Sequence, residues 1–535
     1  MVYKVVDFFC GAGGFSEGFH QAGFEIIRAY DIWEPALNTH NKNHPSKDKI
    51  ALYGDVHSLS LLDDEEFEKA VPDSEIIIGS PPCVAFSNSN KSGKADKTLG
   101  IILLESYLRI IARKKFKKNS KLKYWVLENV TNIENYVKAS YSMEDLGLPG
   151  SHILNVKNEN SKVYHMQYFG VPSNRKRFIC GDFPEPKPIL NESEVISLKS
   201  VFESLGKPDD KTNGFASDVN YDFKINKELI TDHYYIKEIA EFEWEKAKRH
   251  KLDKGYMGKM SFPENLDKPA RTIMATMSGA SRESFILPLA PNRYRYPTIR
   301  EVATIMSFPI DYRFYGDSDA IKYKLVGNAV PPKFSYALAK EIVKKDGLDN
   351  NLSFKPKNFG LDADFVNLNY RDFPLKQEQE KNSNVKYKYH VPYMVINTFR
   401  TELLNYFEDN RVKWKTEIHK SQGKRARVYS DFDYKLSFLK TKDLIKLDCF
   451  IDEMSRKIIS FENFQNNYRQ TKKLKEKDNL VGPDELLKYL KLLIEDNFFL
   501  FEDYEEVKCL GIKVPQKILI AYYVLSNILT KISSN

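Results

Sequence analysis

A cysteine follows two consecutive prolines in Pro81-Pro82-Cys83, directly after a short apolar run at residues 75–78. The run predicts a buried strand, and the prolines prevent a helix from beginning before Cys83. The thiol is therefore expected on a stiff loop at the carboxyl end of a strand, where open α/β sheets bind ligands. A thiolate held there suits a nucleophile. The alternative is a small buried apolar side chain, the usual role of a free cysteine.

Two further strand-like segments carry groups suited to acid–base and electrostatic chemistry. Glu128 ends the apolar run at residues 124–127, and Arg175 and Arg177 flank a lysine at the start of another run. A strand-end glutamate beside a strand-end cysteine would supply a general acid facing the nucleophile. If both arginines lie in a strand they share one face and suit carbonyl or phosphate oxygens. The plainer alternative is that all three are merely exposed.

A nucleotide-like ligand is indicated by three earlier strand ends. A glycine-rich turn, residues 10–14, separates a first strand from a helix and lets a ligand approach the backbone closely. It departs from the dinucleotide fingerprint because Ser16 occupies the third glycine position. Asp31 ends the second strand, where a ribose is usually held, and Asp55 ends the third. Each acid alone is as well explained as a cap or turn residue.

The elements that must position these groups alternate between strands and helices, which predicts an α/β sheet. At 535 residues the chain is expected to form two or more domains. The proline-rich residues 184–188 indicate a boundary, and the prolines of residues 327–332 open an amphipathic helix over residues 334–344. Residues 351–535 have a different character, with packed helices predicted around residues 486–494 and 518–524.

Composition excludes several classes of protein. Five scattered cysteines form neither a disulfide framework nor a CxxC metal pair. No signal peptide, lipidation motif or bilayer-spanning apolar stretch is visible, so a soluble cytoplasmic protein without a membrane partner is expected. The formal charge of +8, from 81 basic and 73 acidic residues, is compatible with a polyanionic partner but too even to establish one.

In their order along the chain, these motifs resemble those of the cytosine-5 DNA methyltransferases over residues 1–345. The resemblance lies in the glycine loop, the Pro-Pro-Cys loop, the Glu-Asn-Val motif at residues 128–130, the twin arginines and the closing motif Gly327-Asn328-Ala329-Val330-Pro331. It departs from the family pattern at Val84 and Ser173, where the family usually has glutamine, and at Asp31, where it more often has glutamate. The departures at Val84 and Ser173 concern details of DNA contact.

The resemblance implies a Rossmann-like, doubly wound and mostly parallel sheet of the S-adenosylmethionine-dependent methyltransferases. It places a catalytic domain at residues 1–185 and 266–345, with a smaller target-recognition domain at residues 186–265. A mainly helical C-terminal domain at residues 351–535 lies outside the resemblance. The expected partners are double-stranded DNA and a cognate restriction endonuclease or defence-system subunit.

The family's reaction is the transfer of a methyl group from S-adenosylmethionine to C5 of a flipped-out cytosine, with no metal. By resemblance, Cys83 is the nucleophile toward C6, Glu128 contacts N3 and the exocyclic amine, and Arg177, with Arg175 close by, holds the ring oxygen. The implied cofactor-binding residues are Phe8, Gly11, Ala12, Gly13, Gly14, Asp31, Ile32, Asp55, Val56, Pro81, Asn328 and Ala329.

Two other functions compete with DNA methylation. One branch of the family modifies tRNA, but its Cys-Phe-Thr signature is missing from this sequence. A catalytically idle cofactor-binding module is disfavoured by the intact Cys83, Glu128 and Arg177.

The tail at residues 351–535 has three candidate roles: extra DNA contact, partner docking or a fused enzyme. Pro483-Asp484 with Glu506-Val507-Lys508 has the residue types of a metal-dependent nuclease, although a helix start explains the first pair better.

Overall fold

The computed structural model describes residues 2–82, 97–210, 212–253, 260–349, 352–357, 359, 373–421 and 426–533. The chain divides into two compact units. The first unit comprises Met1–Glu238, Glu264–Ser278 and Phe285–Phe373, and the second comprises Ile239–Pro263, Gly279–Ser284 and Pro374–Asn535. Among the described helices, none is long and apolar enough to span a bilayer.

The first unit is built on a seven-stranded sheet, which confirms the predicted α/β fold. Its first five strands in the chain are β1 (Lys4–Phe8), β2 (Glu25–Asp31), β3 (Ala51–Tyr53), β4 (Ile76–Gly79) and β5 (Tyr124–Asn129). They pair in parallel in the order β3-β2-β1-β4-β5. The strands Lys176–Asp182 and Lys162–His165 then extend the sheet beyond β5 in antiparallel pairing.

Both faces of the central strands are covered, which explains why the sequence shows continuous apolar runs rather than alternation. All residues of β4 and β5 are buried. One face packs around Phe8, Ile77 and Trp125, and the opposite face around Ile78 and Val126. The five parallel strands therefore end at a common edge, and the residues that follow them lie side by side there.

The remaining elements of the first unit surround this sheet. The helices of this unit are Gly14–Gln21, Glu34–Asn43, Val56–Leu61, Asp64–Ala70, Thr98–Phe116, Leu198–Leu205, Ile299–Ile305, Asp319–Asn328 and Pro332–Lys345. Short 3-10 turns lie at Thr131–Asn135, Met166–Phe169 and Lys227–Leu229. Four small strand pairs join Ser140–Ser142 to Ile153–Asn155, Ser173–Asn174 to Ala270–Arg271, Phe215–Ser217 to Lys224–Asn226, and Leu287–Ala290 to Arg293–Arg295.

Residues 186–238, the first part of the predicted recognition domain, share a core with the rest of the first unit. Leu198 and Val201 of one helix and Ile230 belong to the same buried cluster as Val302 and Leu325. No separate hydrophobic core is formed around residues 186–238 in the described chain; the chain leaves the first unit only at Ile239.

The second unit has its own hydrophobic core, and its helices confirm the predicted mainly helical tail. They are Glu241–Leu252, Thr441–Ile458, Phe461–Arg469, Lys472–Lys477, Pro483–Phe498 and Gln516–Ser533. The structure adds a four-stranded antiparallel sheet of Lys388–His390, Phe399–Glu408, Arg411–Lys420 and Arg427–Tyr429. A small hairpin pairs Tyr504–Val507 with Ile512–Pro515 and encloses the 3-10 turn Lys508–Leu510. These strands were not predicted from the sequence.

A buried carboxyl group lies inside β1, immediately before the glycine-rich turn. Asp7 is fully buried, and the Ser16 hydroxyl donates to its Oδ2 over 2.6 Å. Burial raises the pKa of Asp7 to about 8, with the nearby Asp31 charge acting in the same direction. Asp7 is therefore protonated in the folded protein at neutral pH.

The protonation of Asp7 predicts a pH dependence of stability. Between pH ~4 and ~8 the folded state holds a proton that the unfolded state has released. The free energy of unfolding therefore falls as pH rises through this window, by up to about 1.4 kcal/mol per unit, and levels off above it. We expect Asp7→Asn to remove this slope, which calorimetric Tm measurements from pH 5 to 8 will check.

The matched control for this experiment is the exposed Asp48, whose change to Asn should leave the slope as in the parent. A parent protein and an Asp7→Asn variant with parallel Tm profiles would show that Asp7 is not protonated in the fold.

Candidate active site

The carboxyl edge of the parallel sheet gathers most of the residues singled out in the sequence. The glycine turn follows β1, Asp31 ends β2, Asp55 follows β3, and Pro81 follows β4. Glu128 is the penultimate residue of β5. Because these strands are neighbours in the sheet, residues as far apart in sequence as Gly11 and Glu128 share one edge.

The glycine turn is shaped by close contacts that leave no room for side chains. Gly13 has a φ of 87°, and a Cβ there would lie 2.7 Å from the Tyr312 hydroxyl oxygen. That hydroxyl donates to the Ala12 carbonyl over 2.6 Å. A Cβ on Gly14 would lie 2.3 Å from the carbonyl oxygen of Val330 in the closing motif. The turn is therefore held from behind by Tyr312 and the closing motif. Gly11, with a φ of 53°, borders open space instead.

The two strand-end acids are already engaged with nearby backbone. Asp31 accepts hydrogen bonds from the N–H groups of Gly11 and Trp33, both over 2.9 Å. Its carboxylate thus connects the end of β2 to the glycine turn, and burial raises its pKa. Asp55 is the N-cap of the helix Val56–Leu61 and accepts from the His57 N–H over 2.9 Å. Asp55 is therefore a helix cap, one of the two roles considered from the sequence. Its second carboxylate oxygen can still accept further hydrogen bonds.

Other predicted cofactor residues differ in exposure. Ile32, next to Asp31, is 63% exposed, which is unusual for a large apolar side chain. Ala12 and Val56 are buried, and Asn328 is exposed. Phe8 lies in the core, stacked on Tyr30 with ring centroids 5.2 Å apart, so its side chain does not line the sheet edge.

The loop that carries the predicted nucleophile begins at the same edge. Asn129, at the end of β5, donates from Nδ2 to the Pro81 carbonyl over 2.9 Å. The Ser80 N–H donates to the Phe8 carbonyl over 3.2 Å. The chain is thus fixed to both neighbouring strands just before Pro82. Cys83 and Val84 lie outside the described residues.

Glu128 and Arg177 form a buried pair at the centre of the edge. The Arg177 Nε atom lies 3.1 Å from Oε1 of Glu128, whose side chain is 7% exposed. Burial raises the pKa of Glu128, while the positive charges of Arg177 and Arg175 oppose the rise. Burial is the larger effect, so the net shift of the Glu128 pKa is upward and favours the protonated acid.

Arg175 does not lie in the same strand as Arg177, as the sequence had suggested. The strand begins at Lys176, and Arg175 lies between it and the short strand Ser173–Asn174. Its buried guanidinium donates to the carbonyls of Ile273, Gly327 and Ala329 over 3.2 to 3.3 Å. Arg175 therefore binds the closing motif rather than lining the edge beside Arg177, although its charge still reaches Glu128.

The closing motif packs closely against the segment that contains Ile273 and Met274. A Cβ on Gly327 would lie 2.4 Å from the Met274 carbonyl oxygen, so only glycine fits there. The departure from the family pattern at Ser173 is accommodated as well. Its buried hydroxyl donates to the Arg271 carbonyl over 3.3 Å.

A buried charged cluster behind the glycine turn was missed by the sequence analysis. Glu17, in the helix Gly14–Gln21, is fully buried and lies 2.9 Å from Nε2 of His44 and 2.6 Å from Nζ of Lys357. The Lys357 N–H also donates to the Asp311 carboxylate over 2.6 Å. Burial alone would raise the pKa of Glu17, but Lys357 and His44 lower it below its usual range. No local sequence signal identifies Lys357, because its partner is 340 residues away.

The edge carries groups that suit a nucleoside. Among the described residues no atom lies within 4 Å of a Cβ built on Gly11, Asp31 lies next to it, and Ile32 presents an exposed apolar surface of the kind that suits a flat base. Carboxylate, open backbone and apolar side chain are the groups that a nucleoside requires.

The nuclease-like residues of the tail are not assembled into a site. Asp484 begins the helix Pro483–Phe498 and binds Arg249 and the Tyr387 hydroxyl, each over 3.0 Å. Within the described chain, the candidate metal-ligand group is Glu402, Glu417 and His419, which includes neither Asp484 nor Glu506. The helix-start interpretation of Pro483-Asp484 is confirmed.

The first unit is an α/β fold whose carboxyl edge gathers a glycine turn, two strand-end carboxylates and the Glu128–Arg177 pair. A family model for C-5 cytosine-specific DNA methylases matches residues 3–344. Type II methyltransferase M.MthTI of Methanothermobacter thermautotrophicus is 30% identical over 363 residues, covering 65% of this chain and 98% of that protein. For M.FnuDI of Fusobacterium nucleatum the identity is 29% over 377 residues, covering 63% and 94%.

Among solved structures, a putative DNA modification methyltransferase encoded within an E. coli prophage has a TM-score of 0.42 at 19% identity. The alignment covers 64% of this chain and 98% of that one. The chain belongs to the C-5 cytosine-specific DNA methylase family. It is a DNA (cytosine-5)-methyltransferase, an enzyme class whose methyl donor is S-adenosylmethionine. Two short segments of the second unit, residues 239–263 and 279–284, lie inside the matched residues, and the rest of that unit lies beyond them.

The Glu17 cluster predicts that the chain beyond the closing helix supports cofactor binding. Lys357→Ala leaves the buried Glu17 carboxylate without its lysine, a loss that costs about 3–5 kcal/mol in comparable buried pairs. We expect a lower Tm and weaker binding of S-adenosylmethionine, measured by titration calorimetry. Lys357→Arg should restore most of both, and the exposed Lys355→Ala should change neither. Parent-like cofactor affinity in Lys357→Ala would contradict this role.

The Glu128–Arg177 pair predicts a shift in the pH–rate profile. If methyl transfer requires protonated Glu128, the rate falls as pH rises through the pKa of Glu128, which gives the pH–rate profile a descending limb. Glu128→Gln should remove this pH dependence. Arg177→Ala removes a charge that lowers this pKa, so the limb should move to higher pH. The rate itself should fall about 10²-fold, a typical loss for one electrostatic donor.

The control for this measurement is Lys176→Ala, because Lys176 is exposed and adjacent in the strand. Single-turnover methylation from pH 6 to 9 will report both the rate and the limb. If the rate of Arg177→Ala falls at the same pH as that of the parent, or at a lower pH, Arg177 does not lower the pKa of Glu128.

Proposed function

We propose that this enzyme methylates C5 of a flipped-out cytosine in a specific sequence of double-stranded DNA through a covalent bond to Cys83. The observation that carries the proposal is the buried Glu128–Arg177 pair. It lies beside the start of the Cys83 loop, which Asn129 anchors through the Pro81 carbonyl. A polar pair of this kind suits the edge of a pyrimidine ring and lies too deep for a base stacked within a duplex.

The chain's own groups carry most of the chemistry. The Cys83 thiolate attacks C6 of the cytosine and forms a C–S bond, while the electrons of the C5–C6 double bond shift through the ring toward N3 and leave an enamine that is nucleophilic at C5. Protonated Glu128 donates to N3 and stabilises the charge that develops there. Arg177 donates to the ring oxygen and also holds Glu128 in place.

S-adenosylmethionine supplies the methyl group that C5 receives. The residues proposed to hold it are the glycine turn from Gly11 to Gly14, Asp31 with Ile32, and Asp55 with Val56. Pro81, Asn328 and Ala329 complete the proposed surface. Loss of the C5 proton to a base then restores the ring double bond and expels the Cys83 thiolate, which returns the enzyme to its starting state.

We assign target recognition to the insert at residues 186–265, which would read base edges in the major groove of the DNA. We also propose that the enzyme belongs to a restriction-modification or phage-defence system, with a cognate endonuclease acting on the same site. The support for this assignment is that the relatives are type II methyltransferases.

The first test is transfer of a labelled methyl group from S-adenosylmethionine to mixed-sequence duplex DNA, with tRNA assayed in parallel. We expect 5-methylcytosine in DNA from the parent and none from Cys83→Ala, which should still bind the cofactor. Label in tRNA alone would move the substrate to RNA.

The covalent step has its own test in duplexes that carry 5-fluorocytosine at the methylated position. Fluorine cannot leave C5 as the proton does, so the parent enzyme should remain bound to DNA in a denaturing gel. Turnover by Cys83→Ala, or the absence of a trapped complex with an active parent, would refute the assigned nucleophile.

A further inference from the structure

We infer that the second unit as a whole, and not only the insert between the catalytic motifs, is the part of this protein that binds the DNA duplex. The inference rests on the proposed function and changes its recognition region, because residues 186–238 belong to the first unit. It assigns DNA contact to the described residues of the second unit, so that the C-terminal extension completes a recognition unit begun in the middle of the chain.

The first argument is that the inserted helix Glu241–Leu252 is built into the core structure of the second unit. Arg249 donates to Asp484 over 3.0 Å and to the His390 carbonyl over 2.9 Å, and its guanidinium lies 4.7 Å from the centre of the Tyr389 ring. The buried Tyr387 hydroxyl shares the same Asp484 oxygen. One residue of the insert thus connects a strand and a helix of the extension.

Both ends of the inserted helix are fixed in the same way. At its start, Glu241 and Glu245 bind Lys472 over 2.9 and 3.0 Å. After its end, the Asp253 carboxylate accepts from the Tyr393 N–H over 2.6 Å. The second insert joins as well, because Arg282 donates to the His250 carbonyl over 3.0 Å. Asp253 is buried and Arg249 is 18% exposed, whereas Glu241 is 61% exposed and contributes little. The inserted helix is therefore held to the extension chiefly through Arg249 and Asp253, and the second insert is held to the first.

Connectivity supports the same conclusion. The chain passes between the two units five times, at residues 238–239, 263–264, 278–279, 284–285 and 373–374. A domain appended for an unrelated purpose needs a single connection. Four of the five passages lie between the arginine motif and the closing motif, where the proposed function also puts target recognition. The substrate of the family is a polyanion, so the unit should carry a basic surface.

Such a surface lies on the outer face of the long hairpin formed by Phe399–Glu408 and Arg411–Lys420. Val412, Trp414 and Ile418 of its second strand enter the core, so Arg411, Lys413 and Lys415 point outward at every second position. This row repeats about every 7 Å along the strand. Lys388 projects from the neighbouring strand and is 55% exposed.

Acidic residues on this face anchor some cations and leave others available. The buried Glu402 and Glu417 are opposite each other in the hairpin, and they bind Arg400 over 2.6 Å and Lys415 over 2.7 Å. His419 lies 2.8 Å from Glu417. Arg411 and Lys413 form no ion pair within the described chain. They are therefore the side chains that can neutralise phosphates without first breaking an internal pair.

The test compares the full-length parent with Arg411→Ala/Lys413→Ala. The matched control is Lys473→Ala/Lys488→Ala, which removes two exposed lysines from helices of the same unit. Binding to a fluorescein-labelled duplex is followed by anisotropy over a range of salt concentrations. We expect the hairpin variant to raise the Kd for DNA about tenfold and to reduce the salt slope by about 1–2. It should leave the affinity for S-adenosylmethionine unchanged.

Hydrogen exchange of the parent supplies an independent measurement that needs no variant. Adding duplex DNA should protect residues 411–415 and slow exchange in the inserted helix. An unchanged DNA Kd in the hairpin variant, or protection confined to the first unit, would overturn the inference. These outcomes are separate from failure of the proposed function, which would appear as a parent that binds DNA but transfers no methyl group to it.

Discussion

A single buried guanidinium fixes the relative positions of three chain segments on which the site depends. Arg175 contacts the carbonyls of Ile273, Gly327 and Ala329, which lie 98 to 154 residues further along the chain. Burying an arginine is costly unless its donors are satisfied, and carbonyl oxygens from three directions satisfy them only in one arrangement. Gly327 permits the close approach that this arrangement needs. The closing motif then contacts Gly14 and so determines the position of the glycine turn.

Glu128, the proton donor of the proposed reaction, illustrates how the same edge sets the protonation of a carboxyl group. Burial favours the neutral acid, and two guanidiniums favour the carboxylate. A base entering the edge would displace water and add its own hydrogen bonds, so the balance would shift at the moment of binding. The separation of the two arginines matters here. Arg177 contacts Glu128 directly, whereas Arg175 is occupied by carbonyls and acts on it only at longer range.

The elements predictable from the sequence are those determined by local periodicity. The apolar runs before Ser80 and Glu128 are buried on both faces, so they appeared as strands and placed their last residues at one edge. The environment of Arg175 was not predictable, because the strand is interrupted at Arg175, between Ser173–Asn174 and Lys176–Asp182. Its side chain therefore does not share a strand face with Arg177. The hairpin of the second unit was also missed. Its outward positions hold lysine and arginine next to buried Glu402 and Glu417, which obscures the alternation of polar and apolar residues.

One ion pair that spans 340 residues of the first unit bears on where the methyltransferase body ends. The family match stops at residue 344, yet residues 352–357 return to the glycine-turn helix and deliver Lys357 to Glu17. Tyr336 donates to the Leu352 carbonyl, and Phe354 stacks on Tyr221 with ring centroids 4.7 Å apart. A buried carboxylate that loses its cation destabilises the fold far more than an exposed pair would. A chain cut at the end of the family match would therefore leave Glu17 without Lys357 and destabilise the helix that follows the glycine turn. A loss of activity in such a fragment would not reveal what the second unit does.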